Sequence, residues 1–99
     1  MTISEIKNSG EITLKLSGRV DTITAPELQQ AVLIAFQKEK NIVIDFEDVE
    51  YISSAGLRAL LIGEKTAKSK GGSMTIKGAN ETVLSVFSVT GFDKILTIV

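Results

Sequence analysis

Apolar and polar residues alternate early in the chain. Ile12, Leu14 and Leu16 are separated by Thr13 and Lys15, the two-residue period of a strand with one buried face. Residues 3–7 precede this strand across Asn8-Ser9-Gly10, a turn signal, so the two segments predict a β-hairpin. The period then lengthens. Thr24-Ala25-Pro26-Glu27 supplies a capping residue, then Pro and an acid for a first helical turn. Leu28, Ala31, Val32, Ala35 and Phe36 follow at helical spacing, and Asn41 ends the segment. The continuous run Ile42-Val43-Ile44-Asp45-Phe46 predicts a short central strand.

A second helix is expected from about Ser54 to Ser69, closed by Gly71-Gly72. Met74-Thr75-Ile76-Lys77 reads as a strand. Asn80 or Glu81 opens a third helix that carries Val83, Leu84, Val86 and Phe87 and stops before Gly91. Ile95 to Val99 add a short strand or a helical turn. Helices between strands require parallel neighbours joined by crossovers. The expected fold is therefore α/β: one layer of mixed sheet, made of the opening hairpin and parallel crossover strands, with helices packed on it. Residues 1–99 read as a single domain, and a hydrophobic fraction of 43% suffices for one core.

Charge and composition narrow the chemistry. The net charge is −1 and no run of Lys or Arg occurs, which argues against nucleic-acid binding. The chain has no Cys and no His, so disulfides, thiolate metal sites and a Ser-His-Asp triad are excluded. Nothing in it implies a cofactor or a metal. The first residues lack the build of a signal peptide, and no apolar run approaches the roughly 20 residues needed to cross a bilayer. A cytoplasmic domain without direct membrane insertion is expected.

What chemistry remains is concentrated in residues 45–61. A strand runs into an acidic turn with Asp45, Glu47, Asp48 and Glu50, and then into Ser53 and Ser54 at a helix start. Four carboxylates invite a hard cation, but they lack the alternating spacing and the Gly of a calcium loop. A solvated acidic turn is the simpler reading. On a helix begun at Ser54, with about 100° per residue, Leu57, Leu60 and Leu61 form the core stripe with Ala67 at its edge. Ile62 falls opposite with Ala55 and Ala59, either covered by another part of the domain or exposed for a partner. Ser54 and Arg58 lie on the margin, with Lys65 two turns beyond. Gly56 in the first turn costs up to about 1 kcal/mol against Ala, so close backbone approach by a neighbour or a partner explains it better than helix stability. Ser53 and Ser54 are both good N-cap residues. Either also suits phosphorylation, which would add about −1.5 to −2 charges and spoil a complementary docking surface.

These residues resemble the STAS domain, the family of anti-sigma factor antagonists and of the cytoplasmic domains of sulfate transporters. Val49-Glu50-Tyr51-Ile52-Ser53-Ser54-Ala55-Gly56-Leu57-Arg58 is similar to the family's strand-loop-helix signature around its phosphorylatable serine. Gly18-Arg19-Val20-Asp21, with Thr24-Ala25 and Leu28, resembles the pattern before the family's first helix. Ile42–Phe46 and Thr90-Gly91-Phe92-Asp93-Lys94-Ile95-Leu96 resemble its central strand and C-terminal stretch. The resemblance spans nearly the whole chain.

The resemblance implies a partner switch and not an enzyme. The unmodified antagonist binds an anti-sigma factor that is also a serine kinase with a Bergerat-type ATP-binding fold, and so frees the sigma factor. Phosphorylation separates the pair, and a serine phosphatase resets it. The acceptor two positions before the motif glycine is Ser54, with Ser53 as the alternative, because Ser53 stands where many members carry Asp. Asp21 carries over from the family's Gly-x-x-Asp segment, with plain loop capping as its other reading. The implied docking surface is Asp21, Ser53, Ser54, Ala55, Gly56, Arg58 and Ile62. The competing function is a stand-alone STAS subunit of a membrane transport system, such as a lipid-transport ATPase complex, docked without phosphorylation.

Overall fold

In the computed structural model, which describes residues 1–99, β1 (Thr2–Asn8) and β2 (Glu11–Val20) pair antiparallel across Ser9-Gly10. Gly10 turns the chain at φ +74°, a conformation glycine adopts without a Cβ penalty. Three crossovers follow. α1 (Ala25–Lys38) leads to β3 (Asn41–Ile52), and α2 (Ser54–Ser69) leads to β4 (Ser73–Lys77). α3 (Glu81–Thr90) and a single 3-10 turn (Phe92–Lys94) lead to β5 (Thr97–Ile98). The strands lie in the order β1-β2-β3-β4-β5, with β2 to β5 parallel. This is the mixed sheet expected from the periodicity. Within Ile95 to Val99, open between strand and turn, the strand Thr97–Ile98 forms, and the helical turn lies just before the segment at Phe92–Lys94.

The hydrophobic period decides which face is covered. Ile12, Leu14 and Leu16 of β2, Ile42, Ile44 and Phe46 of β3, and Met74 and Ile76 of β4 point to one side of the sheet and are buried. Leu28, Val32 and Phe36 of α1, Leu57 and Leu60 of α2, and Val83 and Phe87 of α3 join them in one core. Phe46 and Phe87 meet edge to face, ring centres 6.1 Å apart. The other face of the sheet carries Thr13, Lys15, Asp45, Thr75 and Lys77, and no helix lies on it. No helix is long and apolar enough to cross a membrane.

Two features differ from the sequence expectation. The acidic stretch is not a turn: β3 continues through it to Ile52. Its register against β2 slips by one residue between Lys15 and Ser17 and again between Gly18 and Arg19. Each bulge adds a residue to β3, so Phe46, Val49 and Ile52 all reach the core at a spacing of three. A period of three does not read as strand. Two of the four carboxylates have structural partners: Asp45 accepts the Glu47 N–H at 2.9 Å, and Lys15 Nζ stands 4.0 Å from Asp45 and 3.8 Å from Asp48, while Glu47 and Glu50 are exposed.

The second difference is the rotation of α2. Leu57, Leu60 and Ala67 are buried as expected, but so are Gly56, Ala59, Gly63 and Glu64, while Leu61 is only half-buried. The small residues set the packing. A Cβ on Gly63 would stand 2.9 Å from Val32 Cγ1 of α1 and 2.7 Å from Met74 Sδ of β4. α2 therefore lies against α1 and the sheet through its smallest side chains, and Ala59, expected on the far side, is inside. Glu64 goes in with them, and its Oε1 has no hydrogen-bond partner.

Candidate functional site

The pairing of Val20 with Ile52 sets the ends of β2 and β3 side by side. Each strand then leaves the sheet into a helix, β2 through Asp21–Thr24 and β3 through Ser53. The two exits are tied together, since the Ser53 N–H donates to the Val20 carbonyl at 2.8 Å. The sheet thereby brings two segments, distant in sequence, to one edge of the domain.

Asp21 organises the first exit. Its Oδ1 accepts the N–H groups of Ile23 and Thr24 at 3.0 and 3.1 Å. Thr24, expected as a side-chain cap for α1, serves the loop instead: its hydroxyl donates to the Arg19 carbonyl at 2.8 Å and accepts the Asp21 N–H at 2.9 Å. The Thr24 N–H is the main reason that the Asp21 carboxyl sits below its ordinary pKa of 3.8, helped by the Ile23 N–H, the Thr24 hydroxyl and the Arg19 charge.

The two serines at the second exit have different places. Ser53 is the N-cap of α2, with extended backbone, and its Oγ accepts the Gly56 N–H at 3.4 Å. Ser54 is the first helical residue, exposed, and its hydroxyl makes no hydrogen bond within the chain. Arg58, one turn further on, is exposed and has no ion-pair partner; Lys65 continues the same strip. A phosphate on Ser54 would lie at the positive end of the helix dipole, four residues before a cation. It would cost the fold no existing bond.

Around this point the other expected residues divide. Ala55 and Ile62 are half-buried and Arg58 is exposed. Ala55 and Arg58 also line an open groove of about 630 Å³ between α2 and α1, whose far wall includes Pro26, Gln29, Leu33 and Ile34. Gly56 is buried, so it is not available for direct contact. Its missing side chain serves the fold, because a Cβ there would come 2.7 Å from both Val20 Cγ1 and Ile52 Cγ1. Sequence reasoning missed one pair. Arg19 and Tyr51 are cross-strand partners, with the guanidinium 4.5 Å from the ring centre and 4.0 Å from Asp21. Neither residue carries a local signal, since only the bulged register brings them together.

Residues 3–98 match the family model "Mlab, STAS domain". The chain is similar to the anti-sigma-B factor antagonist of Bacillus subtilis (strain 168), 27% identical over 92 residues, which cover 93% of this chain and 84% of the relative. The crystal structure of an anti-sigma factor antagonist from Mycobacterium paratuberculosis superposes with a TM-score of 0.86 at 26% identity, covering 98% of this chain and 83% of that one. The anti-sigma factor antagonist SpoIIAA in its unphosphorylated form shares the fold, with a TM-score of 0.77 at 15% identity, over 99% and 87% of the two chains. The phosphorylated form of Bacillus SpoIIAA gives a TM-score of 0.76, over 99% and 91%.

Proposed function

This chain belongs to the STAS domain family, and on that premise we propose that it is an anti-sigma factor antagonist working as a phosphorylation-controlled partner switch. Unphosphorylated, it binds an anti-sigma factor that is also a serine kinase with a Bergerat-type ATPase fold, and the sigma factor is released. The kinase modifies Ser54, binding is lost, and a serine phosphatase restores the free hydroxyl. The protein is ligand and substrate in this cycle, acting as one cytoplasmic domain and catalysing nothing itself.

The observation that carries this reading is the division between the two serines. Ser53 already holds the helix end, whereas Ser54 is exposed and uncommitted. Modifying Ser54 changes surface charge without removing a cap. A partner that docks over Asp21, Ser53, Ser54, Ala55, Arg58 and Ile62 would then meet about two negative charges at the centre of its footprint, and a desolvated, unmatched charge there defeats binding. Gly56 supports this surface from beneath, by letting the first turn of α2 sit close on β2.

Affinity capture from the native cell, with the wild-type chain and Ser54→Asp as baits, tests the proposal. The wild type should retain an ATPase-fold kinase that Ser54→Asp loses, and mass spectrometry should place phosphate on Ser54. Equal capture of that kinase by both baits, each shown to be folded, would sink the switch. A transport ATPase held equally by both would replace it with the reading of a transporter subunit.

A further inference from the structure

β1 is the free edge of the sheet. It pairs with β2 on one side only, runs seven residues without a register shift, and contains no proline. Natural edges are shortened, bulged, broken by proline or charged where pairing is unwanted. Of these devices β1 has only the charges of Glu5 and Lys7, which bar a partner of matching sign and admit a complementary one. β5, at the opposite edge, is only two residues long.

The hairpin fixes which backbone groups are free. A two-residue turn makes Asn8 and Glu11 a hydrogen-bonded pair, so Ile6 with Thr13 and Ser4 with Lys15 are hydrogen-bonded pairs as well. The N–H and C=O groups of Ile3, Glu5 and Lys7 therefore point away from β2, towards solvent. Glu5 and Lys7 share the helix side of the sheet with Leu14 and Ile12, while Ile6 stands on the uncovered face, 49% exposed.

We propose that this edge is occupied by a second copy of the chain, joined antiparallel to β1 about a two-fold axis at Ile6. In this register the sequence complements itself. Glu5 lies opposite the partner's Lys7, and the symmetry repeats the pair. Glu5 and Lys7 are residues whose backbone groups are free, so each charged pair coincides with a hydrogen-bonded pair. Centring the axis on Glu5 or on Lys7 sets like charges face to face, and centring it on Ser4 sets Glu5 against Ile3. Lys38 already holds Glu5 Oε2 at 3.0 Å, and Oε1 remains for the partner's Lys7. Lys7 has no ion pair within its own chain. On the uncovered face the two Ile6 side chains meet at a non-hydrogen-bonded position, where Cα atoms approach to about 4.5 Å. The two five-stranded sheets become continuous. Thr2 lies beside Ser17 near the end of β2, so the paired segment around Ile6 is displaced from the Ser54 end of the molecule. The two copies of Ser54 face opposite ends of the joined sheet and stay accessible.

Sedimentation equilibrium on the purified chain tests this directly. The native protein should dimerise. Glu5→Lys and Lys7→Glu should each weaken the dimer by about tenfold, since two attractive pairs become repulsive. Mixing the two variants should restore association at native strength. In the mixed dimer the first variant offers lysine at both positions and the second offers glutamate at both, so every cross-strand pair is again of opposite charge. This recovery also shows that both variants are folded. The chain has no cysteine, so Ile6→Cys should oxidise to a covalent dimer through that position alone, within the Cα range a disulfide spans. A native chain that stays monomeric at high concentration overturns the proposal. So does a dimer indifferent to both charge changes.

Discussion

Gly56 rests on Val20: a Cβ at position 56 would fall 2.7 Å from Val20 Cγ1. The first turn of α2, and Ser54 with it, is thus seated on the last residue of β2. Gly56→Ala would gain up to about 1 kcal/mol in helix propensity and lose about 1–3 kcal/mol to overpacking. With the full helix gain, a net loss of up to about 2 kcal/mol is expected in urea unfolding. A stabilised variant would show that α2 can lift off β2 without cost.

The two serines should separate in stability measurements as they do in position. Ser53→Ala removes the cap on Gly56 N–H and should cost about 1 kcal/mol. Ser54→Ala removes no bond and should stay within about 0.5 kcal/mol of wild type. Thermal melts of both variants, beside the wild type, decide this; equal losses would mean that the cap is shared.

The Asp21 carboxyl should leave a mark at low pH. Its pKa is lower in the folded chain than the ordinary 3.8, chiefly through the Thr24 N–H. The contribution is complete above 3.8 and is lost as pH falls through the lower, folded value. Denaturation followed from pH 5 downwards should show the wild type losing stability faster than Asp21→Asn below about pH 4. Parallel curves would refute a structural role for this carboxylate.

Glu64 is a liability that the fold tolerates. Its side chain is buried in α2 and Oε1 has no partner. Replacing it with the apolar, similarly long methionine should stabilise the chain by about 1–2 kcal/mol in urea unfolding. Destabilisation by Glu64→Met would mean that the carboxyl group finds a partner in solution.

Much of this was legible in residue order. Alternation in residues 12–16 predicted β2, helical spacing in residues 28–36 predicted α1, and the crossovers between parallel strands followed. The serine pair before Gly56 was legible as a helix start, but not which serine capped it. That choice depends on where the chain leaves β3, and the Ser53 N–H bond to Val20 fixes the exit.

Periodicity identified the elements because burying one face of a helix or strand demands a regular apolar spacing, which any chain writes locally. Tertiary structure alone decided the bulges of β3, the rotation of α2 and the meeting of Arg19 with Tyr51. Each depends on contact between segments far apart in sequence. Gly56, Ala59 and Gly63 hold α2 by how closely they let neighbours approach. Gly56 was legible as a costly glycine in a first turn, but the small size of Ala59 and Gly63 left no signal of which face they would bury.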